Sequence, residues 1–222
     1  MIIGRTARTR LATAVFAVAF AWAAQTTAGE LQVQVMADGA PLEGAVVSLH
    51  GAADPVPGRA VMDQRNTAFE PGVLVIEAGT AVSFPNSDTV RHQVYSFSPA
   101  KPFELPLYSG TPPEPVVFSQ PGVVVVGCNI HDWMIGWIVV LDTPHHARSG
   151  ADGVVRLQVP DGDYRLQTWH PRLAGEPLQQ PVTVPGAQVS LALGLGPPPP
   201  ERRGSDRLRA LQDRLRSLRK DD

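Results

Sequence analysis

Two runs rich in valine, isoleucine and tryptophan, VVVV at 123–126 and IGWIVV at 135–140, stand either side of one short loop, CNIHDWM. Such runs, bounded by Gly and Asn, read as strands, so the loop between them is held at both ends. It contains the chain's only cysteine, and Cys128, His131 and Met134 fall at a Cys-x2-His-x2-Met spacing. A second histidine, His92, lies upstream in FPNSDTVRHQVYSF, at one end of a separate strand. Packing that strand beside the first run would bring a second imidazole onto the thiol.

One thiolate, one thioether and two imidazoles are the donors of a copper electron-transfer site. Cys128 would bind as thiolate and give the most covalent bond. His92 and His131 would bind through neutral ring nitrogens, leaving the other nitrogen to the backbone or solvent. Met134 would be the weak axial donor, favouring Cu(I). His131, in the loop, is the expected exit for the electron. Cys-x2-His also occurs in zinc sites, but zinc wants four strong donors, and Asp132 follows His131 directly. Met134 as plain core filler is the competing reading of that residue. One type 1 copper, held by His92, Cys128, His131 and Met134, is the expectation. It implies electron transfer rather than turnover, so no catalytic residue is expected. Copper delivery or storage is the main rival, and a non-catalytic β-sandwich interaction module the third reading.

The start of the chain reads as an export signal. Arg5, Arg8 and Arg10 precede an apolar core from Leu11 to Ala24, and small residues follow. That core falls short of the roughly 20 residues a spanning helix needs. Cleavage after Ala28 is expected, with Ala23 the other candidate, and the compartment is the periplasm. A lone cysteine cannot form an internal disulfide, and a metal bond would keep it from oxidation. Residues 29–200 carry 8 basic and 16 acidic side chains. This acidic body argues against nucleic acid as partner and leaves redox proteins as the expected partners.

Past the signal the pattern is all-β, with LQVQV, AVVSLH, LVIEAG, AVSFPN, HQVYSF, VVRLQVP, YRLQTWH, PVTV and VSLAL separated by Gly, Pro, Asn and Asp. The Pro-rich segment 98–121 reads as a long loop with one short edge strand. Residues 60–142 form the copper-binding unit. Residues 29–59 and 143–194 read as two pieces of a second small sandwich, because a two-strand hairpin cannot bury its faces alone. The copper unit would then be inserted into this host; two tandem domains are the simpler alternative. Residues 195–204 form a Pro-rich linker. Residues 205–220 form a short amphipathic helix, with Leu208, Leu211, Leu215 and Leu218 on one face. It suits protein contact, weak membrane-surface contact, or a solvated tail.

Around the site, Trp133 and Trp137 read equally as a cover over the metal or as ordinary packing. Asn86 and Asn129 read as loop ties or turn residues. Gly127 and Gly136 permit close backbone approach or relieve crowding. His145 and His146 form an adjacent pair, a weak second metal candidate. His50 and His170 have no partner set in the sequence, and no Ser-His-Asp pattern stands out.

V-x-F-x-N at 82–86, H-x-V at 92–94, PG at 121–122 and C-x2-H-x2-M-x-G-x-I-x-V at 128–140 resemble the cupredoxin, or plastocyanin-like, family, with the short ligand loop most similar to amicyanin. RHQVYSFSPAKPFELPLYSG with GCNIHDWM resembles exported cupredoxin-domain proteins labelled methylamine utilisation proteins. The resemblance implies a Greek-key sandwich and type 1 copper on His92, Cys128, His131 and Met134. Gln93 stands where small cupredoxins often have an Asn that ties the ligand loops, and Asp132 where amicyanin has proline. ADGVVRL and PDGDYRL resemble the carboxypeptidase regulatory-like, or transthyretin-like, sandwich, usually a binding or structural module.

Overall fold

Alternation along the first strand fixes which side of it is core. Leu31, Val33, Val35 and Ala37 are buried, while Gln32, Gln34 and Met36 between them stay partly exposed, the period-2 signature of a strand with one packed face. The computed structural model describes residues 28–198 apart from 52, 113 and 187. Among the described residues every helix or strand element is a strand, so the fold is all-β. The expected export signal, 1–28, lies outside the described residues save for Ala28, which opens β1, and the expected helix at 205–220 lies wholly outside them.

The chain begins with β1 (Ala28–Ala37), β2 (Ala40–Pro41) and β3 (Val46–His50). Ten strands follow: β4 (Arg59–Val61), β5 (Asp63–Arg65), β6 (Ala68–Glu70), β7 (Val73–Glu77), β8 (Thr80–Ser83), β9 (His92–Ser96), β10 (Phe103–Tyr108), β11 (Val116–Phe118), β12 (Gly122–Gly127) and β13 (Ile135–Leu141). The last five are β14 (His146–Arg148), β15 (Val154–Pro160), β16 (Gly162–Trp169), β17 (Leu178–Val184) and β18 (Val189–Leu193).

Strands β4 to β13 pair only with one another. One sheet runs β10-β9-β12-β13-β7, a second β11-β8-β4, and β5-β6 is a hairpin. The first sheet skips between chain-distant neighbours, and its β13–β7 pair is parallel, the crossed connectivity of a Greek key. The core of this unit includes Met62, Phe84, Val94, Phe118, Val124, Val126 and Ile138, and takes in Cys128 and Met134. The flanking strands make two further sheets, β15-β1-β18 with β2, and β14-β3-β16-β17. Leu31 lies opposite Leu157 and Val33 opposite Val155. These side chains close on Val47, Leu49, Leu166 and Leu191 in a separate core.

The two cores meet through a third cluster. On β13, Ile138 and Val140 face the first core, whereas Val139 and Leu141 pack with Val46 of β3 and Trp169 of β16. A strand buried on both faces reads as a continuous apolar run, which accounts for IGWIVV. Trp137 sits on this outer face with that cluster, so of its two readings packing is the one realised.

The segment 98–121 departs from expectation. It carries two strands, β10 on one sheet and β11 on the other, each at an edge. Pro106 is tolerated within β10 because the register shifts between Leu105 and Tyr108. A bulge on an edge strand asks no N–H of the proline.

Gly153 is a tight backbone point of the flanking sandwich. Its φ is +72°, and an added Cβ would lie 2.4 Å from the Val35 carbonyl oxygen. Gly153→Ala should therefore destabilise the copper-free protein by at least about 2 kcal/mol, read from a denaturant melt.

Burial, then Arg172 and Arg148, hold His170 below the ordinary imidazole range. Burial, then His145, hold His146 there too, against the pull of Glu77. Unfolding frees both to bind protons near pH 6.5, so the unfolded state takes up more protons just below that pH. Their contribution is complete above about pH 6.5 and is lost as pH falls. Thermal melts from pH 7.5 to 5.5 should show the midpoint dropping, by less in His170→Asn.

Candidate metal centre

Two loops at one end of the β4–β13 unit bring the donors together. The first leaves β8 at Ser83 and returns at His92, the first residue of β9. Asn86 organises it: its Nδ2 donates to Val90 O at 2.9 Å and Tyr108 O at 3.0 Å, and its Oδ1 accepts from Asp88 N at 3.0 Å. Of its two readings, loop tie is the one realised. Gln93 instead donates sideways to Glu104 at 2.6 Å. Tyr108 donates to Phe84 O at 2.6 Å and accepts from Gln64, bracing the same loop from below. Burial pushes the Tyr108 phenol up to about 12, against the lowering pull of the Gln64 bond and with smaller pushes from Cys128 and Asp63.

The second loop runs from Cys128 to Met134 between β12 and β13. Successive turns close it: His131 N donates to Cys128 O, Met134 N to His131 O at 2.8 Å, and Cys128 N to Met134 O at 3.2 Å. Gly127 then pairs with Ile135 and faces Tyr95 across the sheet. A Cβ at Gly127 would press on the Tyr95 ring at 3.1 Å, so close approach is what this glycine provides.

Three donor atoms converge. Cys128 Sγ is 3.7 Å from His92 Nδ1 and 3.7 Å from His131 Nδ1, and the two Nδ1 atoms are 3.1 Å apart. Among the described residues this is the one group of three His, Cys, Asp or Glu side chains placed to hold a metal ion. His92 is fully buried, and its Nε2 lies 2.7 Å from the Asp88 carboxylate. A carboxylate can only accept, so Nε2 carries the ring proton and Nδ1 presents a lone pair to the triangle. Burial, then the neighbouring His92, hold His131 below its usual range, with Asp88 pulling the other way. The His92 Nδ1 lone pair, a second imidazole nitrogen and a thiol facing one point form an arrangement that a thiophilic metal ion can take up, displacing any proton held between the rings. Triangle sides of 3.1–3.7 Å suit bonds of about 2.0 Å to nitrogen and about 2.3 Å to sulfur.

Met134 is buried in the same apolar cluster as Cys128. The ring of Trp133 lies 5.4 Å from that of His131 and shields one side of the loop. His131 keeps partial exposure, whereas His92 has none. Among the described residues His145 and His146 join no second metal cluster: His146 lies 3.8 Å from Glu77, and His145 stands edge-on to Tyr164.

Asp88 is the functional residue that sequence reasoning missed. It is anchored by the turn of the β5–β6 hairpin, where Asn66 and Thr67 both adopt positive φ, 50° and 55°. Their N–H groups donate to its two oxygens at 2.7 and 2.8 Å. Burial would raise this carboxyl, but the bonds from Thr67, His92 and Asn66 hold it below the ordinary carboxylate range. The only sequence signal was an acidic residue four positions before the histidine. His50 is a second correction: it finds partners in Ser48 and Asp142.

No protein-family model matches the chain, and no curated protein matches it. Among solved structures it is similar to cupredoxins. A purple cupredoxin from Nitrosopumilus maritimus is 26% identical over 38% of this chain and 99% of that one, with a TM-score of 0.33. An oxidised mutant of amicyanin is 17% identical over 43% and 98%, at 0.35. A pseudoazurin from Sinorhizobium meliloti is 26% identical over 39% and 76%, at 0.31.

Proposed function

We propose that this chain is an exported, periplasmic type 1 copper protein that passes single electrons between redox partners. The observation that carries this reading is the triangle of Cys128 Sγ with the Nδ1 atoms of His92 and His131. Bound copper would supply the one-electron Cu(II)/Cu(I) couple. Cys128 is the thiolate donor, buried where water cannot compete. His92 and His131 are the nitrogen donors, the first fixed by Asp88 and the second at the partly exposed edge from which an electron leaves. Met134 is the axial thioether, held in the core by its neighbours. Both loops are braced by their own hydrogen bonds, so the donors move little when the charge at the site changes. No residue here is assigned a role in turnover of a substrate.

We place the copper unit at residues 60–142, inserted into a host sandwich of 29–59 and 143–194. The pairing of β1 with β15 and β18, and of β3 with β14 and β16, supports this over a tandem order. The host fits a regulatory-like binding module.

Cyclic voltammetry and copper exchange on the loaded protein test the function. Electron transfer predicts a reversible one-electron wave and loss of Cu(I) to a chelator over hours. Transfer within minutes, with no reversible wave, would favour delivery or storage.

A further inference from the structure

A cleft of about 760 Å³ opens where the flanking sandwich meets the copper-binding unit. Residues i and i+2 of a strand share a face. Val47 and Leu49 of β3 point into the flanking core, so Ser48 and His50 point the other way, and both line the cleft. Ser48 Oγ lies 2.9 Å from His50 Nε2. His50 Nδ1 is hydrogen-bonded to the carboxylate of Asp142, which follows β13 directly. Asp142 can only accept, so His50 carries its proton on Nδ1 and offers the Nε2 lone pair to the Ser48 hydroxyl. Nucleophile, base and orienting carboxylate thus stand in the order that acyl transfer requires. The two strands that supply them belong to different sheets, and Asp142 is distant in sequence from His50.

The cleft also supplies groups for the developing charge. Across the β3–β16 pair, Gln167 lies opposite Ser48 and Arg165 opposite His50, and both line the same cleft. A side-chain amide beside the nucleophile is a recognised oxyanion donor. Trp169, Val139 and Pro177 give the wall an apolar portion for an acyl chain.

We propose that Ser48, His50 and Asp142 hydrolyse small carboxylic esters bound in the cleft between the two sandwiches. Ser48 Oγ attacks the carbonyl carbon while its proton passes to His50 Nε2, and the carbonyl π pair moves onto oxygen. The tetrahedral adduct collapses, the C–O bond to the alcohol breaks, and the leaving oxygen takes the proton from Nε2. Water then attacks the acyl-serine, giving one proton to His50 that returns to Ser48 Oγ as the carboxylic acid leaves. The sum is ester plus water to acid plus alcohol, with no oxidant or metal required.

The test is labelling of the wild-type full chain, copper-free and native, with a fluorophosphonate probe, followed by peptide mass spectrometry. Hydrolysis of p-nitrophenyl butyrate is measured in a Cys128→Ser background, which removes the chain's one thiol as a competing nucleophile. The expected result is a single phosphonyl adduct on Ser48. Ester hydrolysis should fall roughly 100-fold or more in Ser48→Ala and His50→Gln, with circular dichroism unchanged. The absence of a Ser48 adduct on folded wild-type protein after hours at millimolar probe would overturn the proposal. So would hydrolysis unaffected by His50→Gln; the three side chains would then be a structural tie between the sandwiches.

Discussion

The proposed type 1 site predicts that replacing Cys128 with serine abolishes the intense visible absorption expected on copper loading and cuts copper affinity. The loss should exceed the roughly 10–100-fold that removal of an outer partner costs. A hydroxyl does not ionise near neutral pH and is a hard donor, so His92 and His131 would be left to hold the ion. The fold itself should survive. Cys128 is a small side chain within an apolar cluster, and both imidazole Nδ1 atoms lie 3.7 Å from its sulfur, within reach of a hydroxyl after a slight shift. Burying that hydroxyl costs about 1–3 kcal/mol, so a copper-free melt should shift modestly while the visible band disappears entirely.

The second large effect is at Asp88. Asp88→Ala removes the acceptor for the Asn66 and Thr67 N–H groups and for His92 Nε2. The Asp88 side chain is 15% exposed, so water replaces only part of what is lost, and the copper-free protein should lose about 2 kcal/mol. His92 is then free to rotate or change tautomer, and copper affinity should drop a further 10–100-fold. Asp88→Asn keeps a carbonyl oxygen for the turn but no longer dictates the His92 proton. It should recover much of the stability and little of the affinity. Denaturant melts paired with chelator competition separate the two losses.

The contrast between Cys128 and Asp88 marks what the sequence made legible. Cys128 and His131 share one short loop, so their spacing was a local signal, and the structure brings both to His92. The strands were legible where one face is buried, as in LQVQV, because period-2 alternation is a local signal. Asp88 acts through a turn 22 residues away, and that turn exists only because Asn66 and Thr67 accept positive φ, which a β-branched threonine seldom does. His50 and Asp142 are 92 residues apart and meet only once β3 packs on β13. One edge strand was expected within 98–121 where the structure has β10 and β11; the second was hidden by prolines that an edge strand can accommodate but a periodicity search penalises. Trp137 was left open by the sequence and is placed by the structure: one position from Ile138, it faces the other way.

The most direct test of the copper centre is the visible and EPR spectrum of residues 29–222 after one equivalent of Cu(II). The site described here predicts a strong thiolate-to-copper band with a small copper hyperfine splitting, both lost in Cys128→Ser. Copper bound without that band, or folded protein that binds no copper, would contradict it.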